Sequence, residues 1–136
     1  MRIMVDTNVL VSAMFFTSEK IDRLFKVIFS HHTLVISSYT VNELIDVAKQ
    51  KFPNKVSVID KVLERMPYEF VYTPIEIKTG LFEIRDVDDY PVLYTAITEG
   101  VDVLVTGDKD FFDVKVEKPE ILNPSGFLEK YGQNQI

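Results

Sequence analysis

Short apolar runs alternate with amphipathic stretches along the whole chain. The first run, residues 3–5, contains no polar position, which is typical of a strand buried on both faces of a parallel sheet. Comparable segments recur along the sequence, and turn residues follow most of them. The pattern predicts strands at residues 3–5, 32–37, 69–72, 101–106 and 117–122.

Amphipathic helices are predicted in most of the intervals between these strands. Ser18 is a typical N-cap residue. Apolar residues follow it from Ile21 to Ile28 at the spacing i, i+3, i+4, i+7, which places them on one helix face. The same spacing predicts helices within residues 41–48 and 59–66.

The second half of the chain carries clearer signals for helix ends. Pro91 suits the first turn of a helix, and Gly100 is a good residue to end it. Asn123, with a proline after it, begins a last helix that Gly132 closes. Residues 75–85 fit a helix and a strand about equally, and we assign them to a helix.

Strands that alternate with helices throughout a chain indicate a parallel sheet with helices on both faces. The predicted fold class is therefore α/β, a three-layer α/β/α arrangement with a central parallel sheet, as in Rossmann-like proteins. The sequence contains no internal repeat, linker or low-complexity segment. We expect one domain over residues 1–132 and a polar C-terminal tail over residues 133–136.

The composition is that of a globular protein without thiol chemistry. The chain has 136 residues, 46% of them hydrophobic, and no cysteine, which excludes disulfides, thiolate metal sites and cysteine nucleophiles. It has no signal-peptide pattern and no apolar run near the ~20 residues of a membrane span, so we expect a cytoplasmic protein. The net charge of −6 argues against a protein that coats nucleic acid.

Acidic side chains occupy equivalent places in the predicted alternation. Asp6 follows the first strand, Glu43 lies in the first turn after the second, Asp89 precedes the Pro91 helix, and Asp108 ends a later strand. Each could simply cap a helix or turn, and Thr40 with Glu43 forms a capping-box pattern. Because strand ends and helix starts share one edge of a parallel sheet, we expect the four carboxylates to converge there.

Such a group of carboxylates requires a cation. Two carboxylates 5 Å apart repel each other by roughly 3 kcal/mol at an effective dielectric constant of 20. His31 and His32 are adjacent and do not share a helix face, so we expect them to be solvated loop residues, not metal ligands. Ligation by oxygen alone favours Mg²⁺ or Mn²⁺ over Zn²⁺. These ions support phosphodiester hydrolysis.

Four segments resemble the PIN domain family. They are VDTNVLVSA at the start, SSYTVNELIDV around Glu43, DVDDYPVLYTAITEGVDVLVTGDKDF, and EILNPSGFLEKY near the end. Within that family the chain is similar to toxin components of toxin–antitoxin systems, which are related to VapC-type ribonucleases. The resemblance implies a PIN-like fold, a metal-dependent endoribonuclease using Mg²⁺ or Mn²⁺, a homodimer and an antitoxin protein as partner. A deep acidic pocket favours flexible single-stranded RNA over duplex as substrate.

The resemblance also implies the carboxylate set, which is Asp6, Glu43, Asp89 and Asp108. In many relatives the third acid belongs to a DP-x-D segment, whereas this chain has Asp86, Val87, Asp88 and Asp89. Asp86 and Asp88 therefore remain alternatives. Asp89 is favoured because in the family pattern this acid precedes the small residue of the following helix, here Ala96, by seven positions.

The same resemblance suggests a role for each residue. Asp6 would be the central metal ligand, and Glu43 with Asp89 would complete a first metal site. Asp108, together with Asp110, would bind or orient a second ion through water. The residues expected to support these carboxylates are Asn8 and Thr106, by hydrogen bonds, and Asp110, beside Asp108.

Other functions are compatible with parts of this pattern. A haloacid-dehalogenase-type phosphohydrolase also begins with an Asp after its first strand, but it needs a second Asp where this chain has Asn8. A receiver-like phospho-switch needs an Asp after the third strand, where Thr73 and Pro74 stand. A non-catalytic PIN-like module for protein binding would have lost at least one acid, and this chain has lost none.

Overall fold

The central layer is a five-stranded, fully parallel sheet. The structure, a computed structural model, describes residues 1–132. In the order β3-β2-β1-β4-β5, the sheet is built from β1 (Arg2–Val5), β2 (Thr33–Ser37), β3 (Glu69–Val71), β4 (Val103–Val105) and β5 (Glu120–Leu122). All neighbouring strands pair in parallel, which confirms the predicted α/β fold. The tail predicted over residues 133–136 lies outside the described residues.

Strand β1 lies in the middle of the sheet and is buried on both faces. Ile3 and Val5 pack into one hydrophobic core and Met4 into the other, and all three are fully buried. The backbone N–H of Asp6 still donates to the carbonyl of Val105, at 3.0 Å. The chain therefore leaves the sheet at Asp6, at the centre of its carboxyl edge.

Six α-helices occur within residues 1–132. They are α1 (Thr7–Phe15), α2 (Glu19–His31), α3 (Ser38–Lys51), α4 (Val56–Arg65), α5 (Tyr90–Thr98) and α6 (Pro124–Tyr131). The larger core packs α1 to α4 and α6 against one face, and α5 covers the other. Three short 3₁₀ helices complete the chain, at Pro53–Lys55, Val87–Asp89 and Lys109–Asp113. None of these helices is long and apolar enough to cross a membrane.

The predicted helix-end residues of α2, α5 and α6 are confirmed. The side chain of Ser18 accepts a hydrogen bond from the N–H of Ile21, and that of Asn123 from the N–H of Gly126. Gly100 follows α5 with φ +64°, a left-handed conformation in which glycine carries no Cβ penalty. These positions therefore fix where α2 and α6 begin and where α5 ends.

The helix predicted over residues 75–85 is wrong. No helix or strand is found there. Instead the hydroxyl of Tyr90 donates to the carbonyl of Lys78 at 2.6 Å, and the ring of Phe82 stacks on Tyr90 with centroids 4.2 Å apart. Gly80, at φ +87°, turns the chain in the middle. The apolar residues here cover α5 from an irregular segment, and these tertiary contacts outweigh their local spacing.

Two smaller predictions also need correction. The last strand begins at Glu120, so residues 117–119 are not part of it. His32 is not a solvated loop residue, because its Nε2 is buried and has no hydrogen-bond partner within residues 1–132. Its ring packs edge-to-face on Phe127, with centroids 6.0 Å apart. His31 is exposed at the end of α2, so the two side chains do not act together.

Candidate active site

The four predicted carboxylates line one cavity at the carboxyl edge of the sheet. The cavity holds about 440 Å³ and lies between the first two turns of α1, one face of α3 and the segment after β4. Asp6 and Asp108 follow adjacent strands, β1 and β4. Glu43 reaches the cavity from α3, and Asp89 from the residue before α5. The fold thus brings together side chains that are up to 102 positions apart in the sequence.

Asp6 is held by hydrogen bonds on both carboxylate oxygens. Its Oδ1 accepts from the backbone N–H of Thr7 at 2.8 Å, which makes Asp6 the N-cap of α1. Its Oδ2 accepts from the hydroxyl of Thr106 at 2.8 Å and from Nδ2 of Asn8 at 3.2 Å. The capping interpretation of Asp6 is therefore correct, and it does not remove Asp6 from the site.

Burial makes ionisation of Asp6 unfavourable. The residue is 4% exposed, and burial raises its pKa to about 6. The hydrogen bonds from Thr106 and Thr7 favour the charged form and limit the increase, while the charges of Glu43 and Asp108 add to it. A cation bound beside Asp6 would offset this loss of solvation.

Glu43 does not cap its own helix. The N-cap of α3 is Ser37, whose Oγ accepts from the N–H of Thr40 at 3.2 Å, so the capping box expected from Thr40 and Glu43 is absent. Glu43 instead accepts a hydrogen bond on Oε1 from the hydroxyl of Thr7. Thr7 thereby connects α1 to α3, and it holds Glu43 toward the cavity.

Asp89 is the least satisfied carboxylate of the site. Its Oδ2 is buried and has no hydrogen-bond partner among the described residues. Although Asp89 is the N-cap of α5, its side chain makes no capping hydrogen bond. Burial is the largest cause that raises the pKa of Asp89 to about 8, and the hydrogen bond with Asp108 and the charge of Asp108 contribute in the same direction. A buried carboxylate oxygen with no hydrogen-bond partner among the described residues fits a cation ligand.

The two alternatives to Asp89 lie outside the cavity. Asp86 and Asp88 are both exposed, and neither lines it. Asp86 caps the 3₁₀ helix Val87–Asp89, because its Oδ1 accepts from the N–H of Asp88 at 2.9 Å. The carbonyl of Asp88 accepts from the Tyr39 hydroxyl at 2.9 Å. Of these three aspartates, only Asp89 lines the cavity together with Asp6, Glu43 and Asp108.

Asp108 and Asp110 form the remaining part of the acidic group. Asp108 caps the 3₁₀ helix Lys109–Asp113, accepting from the N–H of Asp110 at 2.9 Å. One carboxylate oxygen from each of Asp89, Asp108 and Asp110 lies within 4.8 Å of the other two. The carboxylate of Asp110 is therefore as close to Asp89 and Asp108 as a shared cation ligand would be.

The residue types and their arrangement fit a hard divalent cation. The donors are carboxylate oxygens, and one of them, Oδ2 of Asp89, is buried with no partner in the part of the chain that the structure describes. Arg85 is a cation near the group, with its guanidinium 3.8 Å from the Asp110 carboxylate. Its side chain, however, is 87% exposed. That contact is too exposed to neutralise the cavity.

The predicted supporting residues take up hydrogen bonds within the site. Thr106 is fully buried, donates to Asp6, and accepts from the N–H of Asp108 at 3.0 Å. Asn8 donates to Asp6 and accepts on Oδ1 from the N–H of Gly107 at 3.0 Å. Asn8 and Thr106 therefore connect the ends of β1 and β4.

Sequence reasoning missed the role of Thr7 and the far wall of the cavity. No pattern in the sequence indicates that the Thr7 hydroxyl would bond Glu43. The wall formed by Val47 and Lys51 was predictable, because they follow Glu43 by four and eight positions on one helix and so share its face.

Comparison with known proteins agrees with the fold. A family model described as PIN domain matches residues 2–110. No curated protein matches this chain. Among solved structures, the chain is similar to VapBC2 from Rickettsia felis bound to a DNA fragment from their promoter. That likeness has 26% identity and a TM-score of 0.69, and covers 90% of this chain and 98% of the other.

Two further structures share the fold at lower identity. FitAcB from Neisseria gonorrhoeae is 22% identical with a TM-score of 0.63, covering 90% of this chain and 98% of the other. VapC20 from Mycobacterium tuberculosis, a sarcin–ricin loop cleaving toxin, is 10% identical with a TM-score of 0.60. The likeness covers 81% of this chain and 92% of the other. The family model spans residues that include the whole acidic site, and the chain belongs to the PIN domain family.

Proposed function

We propose that this protein is a metal-dependent endoribonuclease that hydrolyses phosphodiester bonds of single-stranded RNA. The observation that carries the proposal is the buried, unpartnered Oδ2 of Asp89 in a cavity lined by three other carboxylates. The proposed nuclease is a single domain over residues 1–132. Membership of the PIN family, and a toxin of the same fold that cleaves the sarcin–ricin loop, support this reaction class.

The carboxylates would hold Mg²⁺ or Mn²⁺. Asp6, Glu43, Asp89 and Asp108 are the proposed ligands, and the position of Asp110 supports adding it to them. A divalent ion bound by such ligands supplies polarisation of the phosphate and activation of water. The protein's own contribution is to hold these oxygens in place through hydrogen bonds that are present before substrate binds.

The hydrogen bonds around Asp6 orient the catalytic group. The N–H of Thr7 and the hydroxyl of Thr106 fix the plane of the Asp6 carboxylate, and both of these residues are buried. The Thr7 hydroxyl restricts Glu43 in the same way from α1. Little reorganisation is then needed when metal and RNA bind, which is the source of much of an enzyme's electrostatic advantage.

The biological setting we propose is that of a toxin paired with an antitoxin protein in the cytoplasm, with the nuclease itself a homodimer. Similarity to structures named VapBC2 and FitAcB supports the antitoxin partner. The homodimer and the location are implied by the family resemblance. Light scattering on the purified protein tests the dimer, and a mass equal to one chain would contradict it.

The proposed activity is tested by metal removal and by Asp6→Asn. We expect the wild type to cleave single-stranded RNA with Mg²⁺ or Mn²⁺ and to lose cleavage in EDTA. Asp6→Asn should lower cleavage by several orders of magnitude, because a central ligand is lost. The same variant keeps a good N-cap residue, so its melting temperature without metal should stay or rise.

A non-catalytic PIN-like module would give a different result. Its RNA cleavage would be absent in the wild type, or equal in the wild type and Asp6→Asn because a contaminant is responsible. Either result contradicts the proposal.

The preference for single strands has a separate test. Four carboxylates in a recess of about 440 Å³ require the phosphate to enter the cavity, which a flexible strand does more easily than a stiff duplex. We expect a single-stranded oligonucleotide to be cleaved faster than the same sequence in a duplex. Equal or faster cleavage of the duplex would contradict this substrate class.

A further inference from the structure

The cavity that holds the acidic site continues away from it as a groove between α1 and α3. On the α1 side its lining passes from Thr7 and Asn8 to Val11 and Ser12, one helical turn later. On the α3 side the lining residues are Glu43, Val47 and Lys51, spaced four apart. Residues four apart lie on the same helix face, so each wall is one continuous row.

The charge changes sign along this groove. The acidic end carries the carboxylates, the middle is uncharged, and the far end carries Lys51. Lys51 is the one cationic residue among the described residues that line the cavity. Eight residues of α-helix separate it from Glu43, which corresponds to about 12 Å along the axis of α3.

The Lys51 ammonium group is available for an external anion. The side chain is exposed, and Lys51 takes part in none of the ion pairs found within residues 1–132. The nearest charged residue on its own row is Glu43, two turns away along α3. The intervening Val47 offers no competing polar group.

A helix C-terminus favours cations for reasons unrelated to binding. Lys49 and Lys51 both lie in the last turn of α3, where a positive charge interacts well with the helix dipole. Both are exposed, but only Lys51 lines the groove. The dipole therefore explains both lysines equally, and the location in the groove distinguishes Lys51.

We propose that Lys51 binds a backbone phosphate of the RNA strand that flanks the scissile phosphate, and so directs the strand along the groove between α1 and α3. This inference rests on the proposed nuclease function. The protein has a net charge of −6, so a nucleic-acid strand needs local cations to approach the acidic site. The metal would bind the scissile phosphate at the carboxylates, and the Lys51 ammonium would bind a phosphate farther along the strand.

Lys51 is thus a positioning residue for substrate, and the phosphate contact carries no information about base identity. Removing it should weaken binding of all sequences alike without changing the chemical step. The contact is electrostatic, so its effect should decrease as salt increases.

The test compares Lys51→Gln with Lys49→Gln in Mg²⁺-dependent cleavage of a single-stranded oligoribonucleotide across a range of salt concentrations. We expect Lys51→Gln to raise KM about fivefold at low salt, which is the upper range for an exposed ion pair, with kcat within about twofold of wild type. The slope of log KM against log salt should fall by about 0.7, the value for one lost phosphate contact on a single strand. Lys51→Arg keeps the positive charge, so it should restore both the KM and the salt slope of the wild type.

The outcomes separate this inference from the function on which it rests. If Lys51→Gln and Lys49→Gln change KM and the salt slope equally, Lys51 is a surface charge and the inference is wrong, while the nuclease function stands. If Lys51→Gln lowers kcat and leaves KM unchanged, Lys51 acts on the chemical step and the inference is also wrong. If the wild type shows no metal-dependent cleavage, both the function and the inference fail.

Discussion

Thr106 is the residue through which two carboxylates of the site are connected. Its hydroxyl donates to Oδ2 of Asp6 at 2.8 Å and accepts from the backbone N–H of Asp108 at 3.0 Å. The side chain is fully buried, so water cannot replace either bond. This hydroxyl therefore connects the ends of β1 and β4, as Asn8 also does.

Thr106→Val removes this hydroxyl while keeping the shape of the side chain. We expect divalent-ion affinity to fall about 10-fold to 100-fold, the usual effect of losing a group that orients a ligand. Isothermal titration with Mn²⁺ measures the change. Thr106→Ser keeps the hydroxyl and should bind Mn²⁺ within a few-fold of wild type. Equal affinity of Thr106→Val and wild type would show that Asp6 is held without Thr106.

At the residue scale, the sequence identifies the acids but not their hydrogen-bond partners. Asp6, Asp89 and Asp108 could be located because strand ends and helix starts share one edge of a parallel sheet. The spacing of Thr40 and Glu43 matches a capping box, yet Ser37 caps α3 and Glu43 bonds Thr7. Short side chains near a helix start compete for the same N–H groups, and tertiary packing decides between them.

Helix α3 is the element that carries most of one wall of the site. It presents Glu43 to the carboxylates and Lys51 to the far end of the groove. Its start is fixed by Ser37, whose Oγ accepts from the N–H of Thr40 at 3.2 Å and lies 3.1 Å from the Thr40 hydroxyl. Both residues are fully buried. The orientation of Glu43 therefore depends on a cap that does not itself touch the cavity.

Ser37→Ala removes the cap of α3. We expect the free energy of unfolding to fall by about 1–2 kcal/mol, because one helix N–H and the buried Thr40 hydroxyl lose their partner. Denaturant unfolding measures the change. Ser57→Ala, at an exposed serine inside α4, is the matched control and should change stability by less than about 0.5 kcal/mol. A loss as small as the control's would mean that α3 is held by packing alone.

At the element scale, the sequence predicts the helices that have both a period and an end signal. Gly100 ends α5 as expected, because only that position needed a left-handed conformation after a buried helix. Residues 75–85 follow Thr73 and Pro74, which suit a helix start, yet they form an irregular segment over α5. Phe82 is buried by stacking on Tyr90, a long-range contact that no local period encodes.

For the whole molecule, the acidic site is a region where folding opposes ionisation. Five acids from four separate segments meet there, and the arginine closest to Asp110 is largely exposed. Burial and mutual repulsion raise the pKa of Asp6 to about 6 and that of Asp89 to about 8. The metal-free protein therefore holds charges that it would be more stable without, and bound cations would remove the penalty.

The pH dependence of stability has a definite sign for such groups. Asp89 binds its proton more tightly in the folded state than in the unfolded chain, where its pKa is about 3.8. Between these two pKa values the folded state carries more protons, so the free energy of unfolding falls as pH rises from about 4 to about 8. Below this window the penalty is absent, and above it the penalty is complete.

Asp89→Asn isolates this contribution, because the amide cannot ionise. In EDTA, we expect the melting temperature of the variant relative to wild type to increase steadily from pH 5 to pH 8. With Mg²⁺ at pH 8 the order should reverse, because only the wild type keeps the complete ligand set and gains stability by binding. Asp88→Asn removes an exposed carboxylate one residue away and outside the cavity, and should show neither effect. A difference between Asp89→Asn and wild type that does not change with pH would show that Asp89 is solvated in the folded protein, and would remove it from the proposed metal site.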